Sequence, residues 1–214
     1  MRTLTRTLLC LTVLTLVCGT PFAAGQRLPD REVNLASGDI QPNVVNNAKL
    51  KTIYSNLGSK TDTYDDTGGW AVDGPKSAEG KEWIAMPFTP KANATVTQIQ
   101  IAVHYDGLGT NGFNLVLAAD DYGLPGKTLH SWDLKNLPYR GTCCKLETAK
   151  YAEGVKLTKG KQYWVVARTD SKSAEAVDGW SYTWNDSTGP NAFNVGKGWY
   201  YINDQLCAFA VQGK

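Results

Sequence analysis

Histidine is nearly missing from this chain: there are two in 214 residues, His104 and His130. Neither stands in a G-x-S-x-G or H-E-x-x-H setting, so the sequence signatures of serine-hydrolase and zinc-protease chemistry are missing. Cys-x-x-Cys spacing is also missing, and with it a redox or zinc motif. No charge sign dominates, with 22 Lys and Arg against 20 Asp and Glu. That balance excludes a broad basic field of the kind that draws nucleic acid or anionic lipid. After Val17 no apolar run is long enough to span a membrane as a helix. Helical stripes are lacking as well, since the apolar residues alternate instead of recurring at three and four.

The alternation defines what is there. Thr95–His104 puts Ile99, Ile101 and Val103 on one face, and Phe113–Ala119 repeats the pattern. Gly160–Asp170 and Trp180–Trp184 follow, with Gly, Asp, Asn and Pro in the intervening turns. Lys51–Leu57, Trp83–Phe88, Thr128–Leu134, Trp199–Ile202 and Gln205–Val211 supply further strands. Nine or ten short strands in one domain predict an all-β fold, an antiparallel two-sheet β-sandwich of jelly-roll type.

The first residues read as a targeting signal. Arg2 and Arg6 precede an apolar Leu8–Val17 core, and Ala23-Ala24-Gly25 offers small residues for cleavage. Residues 1–25 are therefore a signal peptide, 26–50 a polar leader, and 51–214 a single domain. The mature chain keeps 20 Lys and Arg against 20 Asp and Glu, because the signal removes two arginines and no acid. Such a protein is secreted, periplasmic or extracellular, and nothing in the sequence calls for more than a monomer. Of its cysteines, Cys143, Cys144 and Cys207 survive processing. An oxidising compartment predicts a bridge from Cys144 or Cys143 to Cys207, or a disulfide within the adjacent pair.

Several segments in series carry a family resemblance: the loop YDDTGGWAVDGP, the strand FTPKANATVTQIQIAV, the piece NLVLAADDYGLPGKTL, the hairpin VKLTKGKQYWVV, and WSYTWNDSTG. Together they resemble the bacterial secreted β-sandwich group known as choice-of-anchor domains. The resemblance implies an exported jelly-roll-like domain. It implies no covalent surface anchoring, since the group's sorting signal has no counterpart in Ala210–Lys214, and it implies no catalytic residues.

Three kinds of side chain could carry function. His104, His130, Glu82, Glu147, Glu153 and Glu175 are the available acid–base groups, and no pair of them is singled out by spacing. Among acidic loops, Asp65 and Asp66 are candidate metal ligands, and a structural Ca²⁺ is the one cofactor such loops would take. The competing reading is that these residues simply start turns. Aromatics are the third kind. Trp180, Tyr182 and Trp184 alternate, which places them on one strand face. Such a ladder could stack sugar rings, with Asn185, Asp186 and Gln205 as polar partners, or fill the core. Trp70, in its Gly-rich loop, is the more exposed candidate, and Trp164 belongs in the core. These features point to a non-catalytic recognition or adhesion domain that meets a polysaccharide or cell-surface partner through Trp70, Trp180, Tyr182, Trp184, Asn185 and Asp186. The alternatives are a structural matrix protein and, third, a secreted hydrolase.

Overall fold

The computed structural model describes residues 50–214, and among them every ordered element is a strand. The predicted signal peptide and all but the last residue of the predicted leader lie outside the described residues.

Thirteen strands build the domain: β1 (Lys51–Ser55), β2 (Gly69–Asp73), β3 (Trp83–Phe88), β4 (Ala94–Ile101), β5 (Val103–Leu108), β6 (Asn114–Asp121), β7 (Leu124–Asp133), β8 (Glu147–Leu157), β9 (Tyr163–Arg168), β10 (Val177–Ser181), β11 (Thr188–Asn194), β12 (Tyr200–Gln205) and β13 (Phe209–Gly213). Every ladder between them is antiparallel. One layer is the six-stranded sheet β12-β11-β3-β9-β6-β7. The opposite layer is split into β1-β13-β4-β8 and β2-β10-β5. The split falls at Ala102, between β4 and β5. There Ser181 donates its N–H to the Ala102 carbonyl at 2.8 Å, Ala102 to Ala208 at 3.2 Å, and Ala208 to Ser181 at 2.9 Å. These bonds stitch the two smaller sheets into one layer.

Period-2 alternation assigns the core. Ile84, Met86, Phe88, Leu115, Leu117 and Val165 face inward from the six-stranded sheet. Ile99, Ile101, Val103, Trp180, Phe209 and Val211 meet them from the other layer. The β-sandwich read from the sequence is therefore what the chain forms. Four strands are additions to it: β2 emerges from what reads as a long loop, β5 runs on from the Thr95–His104 segment after a break at Ala102, β8 extends far back from the VKLTKGKQYWVV hairpin, and β11 carries Gly189 and Pro190 near its start. Gly and Pro depress strand propensity, which hides such a segment from pattern reading.

Candidate functional site

The aromatic ladder does not stand as one surface. Trp180 is 0% exposed, packs edge-on against Phe209, and donates its indole N–H to the Ala208 carbonyl at 3.0 Å. It is a core residue, which corrects its assignment as a ligand contact. Trp70 is opposite it in the ladder and faces the same way. Its ring is half-buried between Tyr182 and Phe193, and its N–H goes to the Gln205 carbonyl at 2.8 Å. The Gly-rich loop thus presents Trp70 inward, not outward. Tyr182 is partly covered by that ring, and burial together with Cys207 and Asp204 pushes its phenol up to about 12.

Trp184 departs from this pattern. The strand ends at Ser181, and the chain turns over Thr183–Ser187 through bonds from Asp186 N–H to the Thr183 carbonyl and from Ser187 N–H to Thr183 Oγ1. Asp186 supplies the positive φ of 49° that the turn requires. Trp184 is consequently 54% exposed. Asn185 and Asp186 are exposed beside it, with Gln205 Nε2 reaching Asp186 Oδ1 at 3.4 Å.

The acidic loop serves its own backbone. Asp65 Oδ1 accepts from Thr67 N–H at 2.8 Å and from Thr67 Oγ1 at 2.6 Å, an Asx turn. Asp66 lines a different place, the gap beside His104. Among the described residues no group of three or more His, Cys, Asp and Glu is arranged to hold a metal ion.

Cys207 is not bridged. The structure pairs Cys143 with Cys144, the alternative expected from the sequence, and leaves Cys207 a buried free thiol in place of the predicted bridge from either of them to Cys207. Strand geometry gives the reason. Cys207 points into the core and donates its thiol to the Trp180 carbonyl at 3.2 Å, while its neighbour Ala208 faces the other side with Ala102, Tyr64 and Cys144. The sheet itself stands between Cys207 and the pair.

A constellation that the sequence did not reveal lies on the outer face of β2-β10-β5. His104 is 3% exposed and lies over Gly69 and Gly179; an added Cβ at Gly179 would collide with its ring, and one at Gly69 with the Trp180 carbonyl. Its Nδ1 is 3.0 Å from Ser181 Oγ. Its Nε2 is 3.3 Å from Arg140 Nε and 3.6 Å from Asp106 Oδ1. Arg140 grips Asp106 in a fork, at 2.8 Å from Nε to Oδ1 and 3.1 Å from Nη2 to Oδ2. Serine, histidine and aspartate are thus gathered as in a hydrolase, and the chemistry runs the other way. A guanidinium only donates, so the lone pair of His104 belongs on Nε2 and its proton on Nδ1. Ser181 then accepts a hydrogen bond from the imidazole and has no base to take its own proton. Ser181 is 1% exposed, and the adjoining gap lined by Tyr64, Tyr139 and Thr142 is too tight to admit a water molecule. Burial lowers the pKa of His104, Asp106 opposes the shift, and Arg140 reinforces it, so the ring stays neutral. The legible signal was slight: His104 and Asp106 at alternate positions of one strand, with partners 77 and 36 residues from His104.

Two more buried acids share this sheet. Asp178 is fully buried, with Oδ2 accepting from Gly112 N–H at 3.1 Å and Oδ1 unpartnered. Asp73 has an unpartnered Oδ1 as well. Burial lifts both carboxyls to about 7.

No family model, no curated protein and no solved structure matches this chain.

Proposed function

We propose that this chain is an exported, non-catalytic recognition domain that meets a polysaccharide or glycosylated cell surface through Trp184, Asn185 and Asp186. One observation carries the reading. Of the alternating aromatics, Trp184 alone keeps its ring in water, beside an amide and a carboxylate suited to sugar hydroxyls. An indole face takes the apolar face of a pyranose, and the flanking polar groups fix its orientation. A contact resting on a single ring is weak, which suits avidity at a repetitive surface. No cofactor is needed.

Affinity electrophoresis through gels containing neutral polysaccharides tests the proposal. The wild-type protein is expected to be retarded on at least one such gel, and Trp184→Ala to run unretarded while keeping its unfolding midpoint. Equal retardation of the two proteins would overturn the assignment. A structural surface role is the second reading, favoured by the internal use of Trp180 and Trp70, and it predicts no retardation for either protein. A hydrolase built on Ser181 is disfavoured by the sealed serine and the direction of its hydrogen bond.

A further inference from the structure

We infer that the end of the sandwich formed by loops 89–93 and 157–162 is a second binding surface, one that takes a carboxylated polysaccharide. The juxtaposition of lysines from separate segments carries this inference. Lys159 N–H bonds Asn93 Oδ1 at 2.8 Å, and Gly160 N–H bonds the Pro90 carbonyl at 3.0 Å, which brings Lys159 and Lys161 beside Lys91. Thr95 and Lys214 exchange backbone bonds at 2.9 and 3.0 Å, placing Lys214 at the same end. Lys156 stands between two depressions. One, of about 450 Å³, is shared with Lys161, Gln162, Asp120 and the recessed Leu129. The other, of about 420 Å³, is shared with Lys214, Asn93 and Thr158. Lys91, Lys156, Lys159, Lys161 and Lys214 are all exposed, and none makes a salt bridge with a described residue.

Charge complementarity selects an anion, and the form of the surface selects a polymer. Two adjoining depressions on either side of one lysine make a track, lined by amide and hydroxyl groups that match sugar hydroxyls. The cations are all lysines, point charges on flexible stems that answer spaced negative charge without the guanidinium fork that grips a carboxylate or phosphate bidentately. A carboxylate on each successive sugar unit answers such a row. An anionic membrane fits less well, because the hairpin tip at this end sets the exposed Asp121 beside the fully exposed Tyr122. Asp120, which lines the first depression, is held ionised by bonds from Trp164, Gln162 and Gly123 despite the opposing cost of its partial burial, so that depression carries two lysines against one carboxylate. This surface is separate from Trp184 and does not depend on it.

Affinity electrophoresis in alginate gels, alongside gels of a neutral galactomannan, tests the inference. Wild-type protein is expected to be retarded by alginate at low salt. Retardation should fade between 0.1 and 1 M salt, as the screening length shrinks from about 10 Å to about 3 Å. The triple variant Lys156→Gln/Lys159→Gln/Lys161→Gln should bind alginate far more weakly, at roughly fivefold per lysine removed. Lys76→Gln/Lys135→Gln/Lys197→Gln, with the same change in net charge elsewhere, should bind as wild type. Equal loss in both triple variants would overturn the site, since net charge alone would then explain binding. Salt-insensitive retardation would overturn it too, as would binding to phosphatidylglycerol vesicles without retardation by alginate. Trp184→Ala should leave alginate retardation intact. Alginate binding in a protein that no neutral polysaccharide gel retards would sink the Trp184 proposal and leave this one standing.

Discussion

At the scale of the residue, Trp180 and Trp184 stand four positions apart and have opposite physics. Trp180 is enclosed by the sandwich and satisfies its indole N–H on Ala208, so truncation removes a large apolar volume from a packed interior. Trp180→Ala is expected to cost about 3–5 kcal/mol of stability. Trp184→Ala, at an exposed turn, should stay within about 0.5 kcal/mol of wild type. Urea unfolding of the two variants checks this, and a small effect at Trp180 would mean the ring is not core. Alternation alone could not separate the two tryptophans. It puts both on one face, and that holds for Trp180 and Tyr182, whose side chains share the core side with Trp70. The chain leaves the strand before Trp184, where Asn185, Asp186 and Ser187 form a turn. Those turn residues were readable, but the sequence does not say whether the turn begins before or after Trp184.

At the scale of the element, β2-β10-β5 is organised around His104. Gly69 and Gly179 leave a flat floor on which the imidazole lies, Ser181 holds one ring nitrogen, and the Arg140–Asp106 fork closes the other side. A methyl group at residue 179 would meet the ring and displace it. Gly179→Ala is therefore expected to destabilise the domain by about 1–3 kcal/mol, the usual scale of overpacking. The companion change His104→Ala removes the obstacle, so the double variant should be less destabilised than the two single changes predict together. A coupling energy of about 1 kcal/mol in a thermal or urea double-mutant cycle would bear this out, and strict additivity would contradict it. Such an arrangement is hard to read from sequence because its members are brought together by pairing, not by proximity along the chain. The glycines were visible, and what lies on them was not. The same limit applies to the lysine-rich end: 22 Lys and Arg against 20 Asp and Glu is a near balance over the whole chain that conceals a local imbalance.

At the scale of the whole molecule, the buried acids make stability depend on pH in an unusual direction. Asp73 and Asp178 titrate near 7 in the fold, against about 3.8 in an unfolded chain, mainly because burial disfavours their charged forms. Between pH 4 and 7 the folded protein holds protons that the unfolded chain has released, so stability declines as pH rises through that window. Each carboxyl contributes a slope of up to about 1.4 kcal/mol per pH unit. His104 acts in the opposite sense, because its lowered pKa keeps it neutral where an unfolded histidine would protonate; it is one group against three, since burial raises the Glu82 carboxyl as well. Below pH 4 the trend reverses, since Asp120 and Asp170 are held at lowered pKa by their hydrogen bonds and lose them on protonation. The domain should therefore be most stable near pH 4–5 and weaken steadily toward pH 8. Urea midpoints taken across pH 4–8 measure the curve. Asp178→Asn keeps the hydrogen bond from Gly112 N–H while removing the charge, so it should flatten the decline and raise stability at pH 8. A curve that rises from pH 4 to pH 7, or an unchanged slope in Asp178→Asn, would show that the buried carboxyl does not control the molecule's stability.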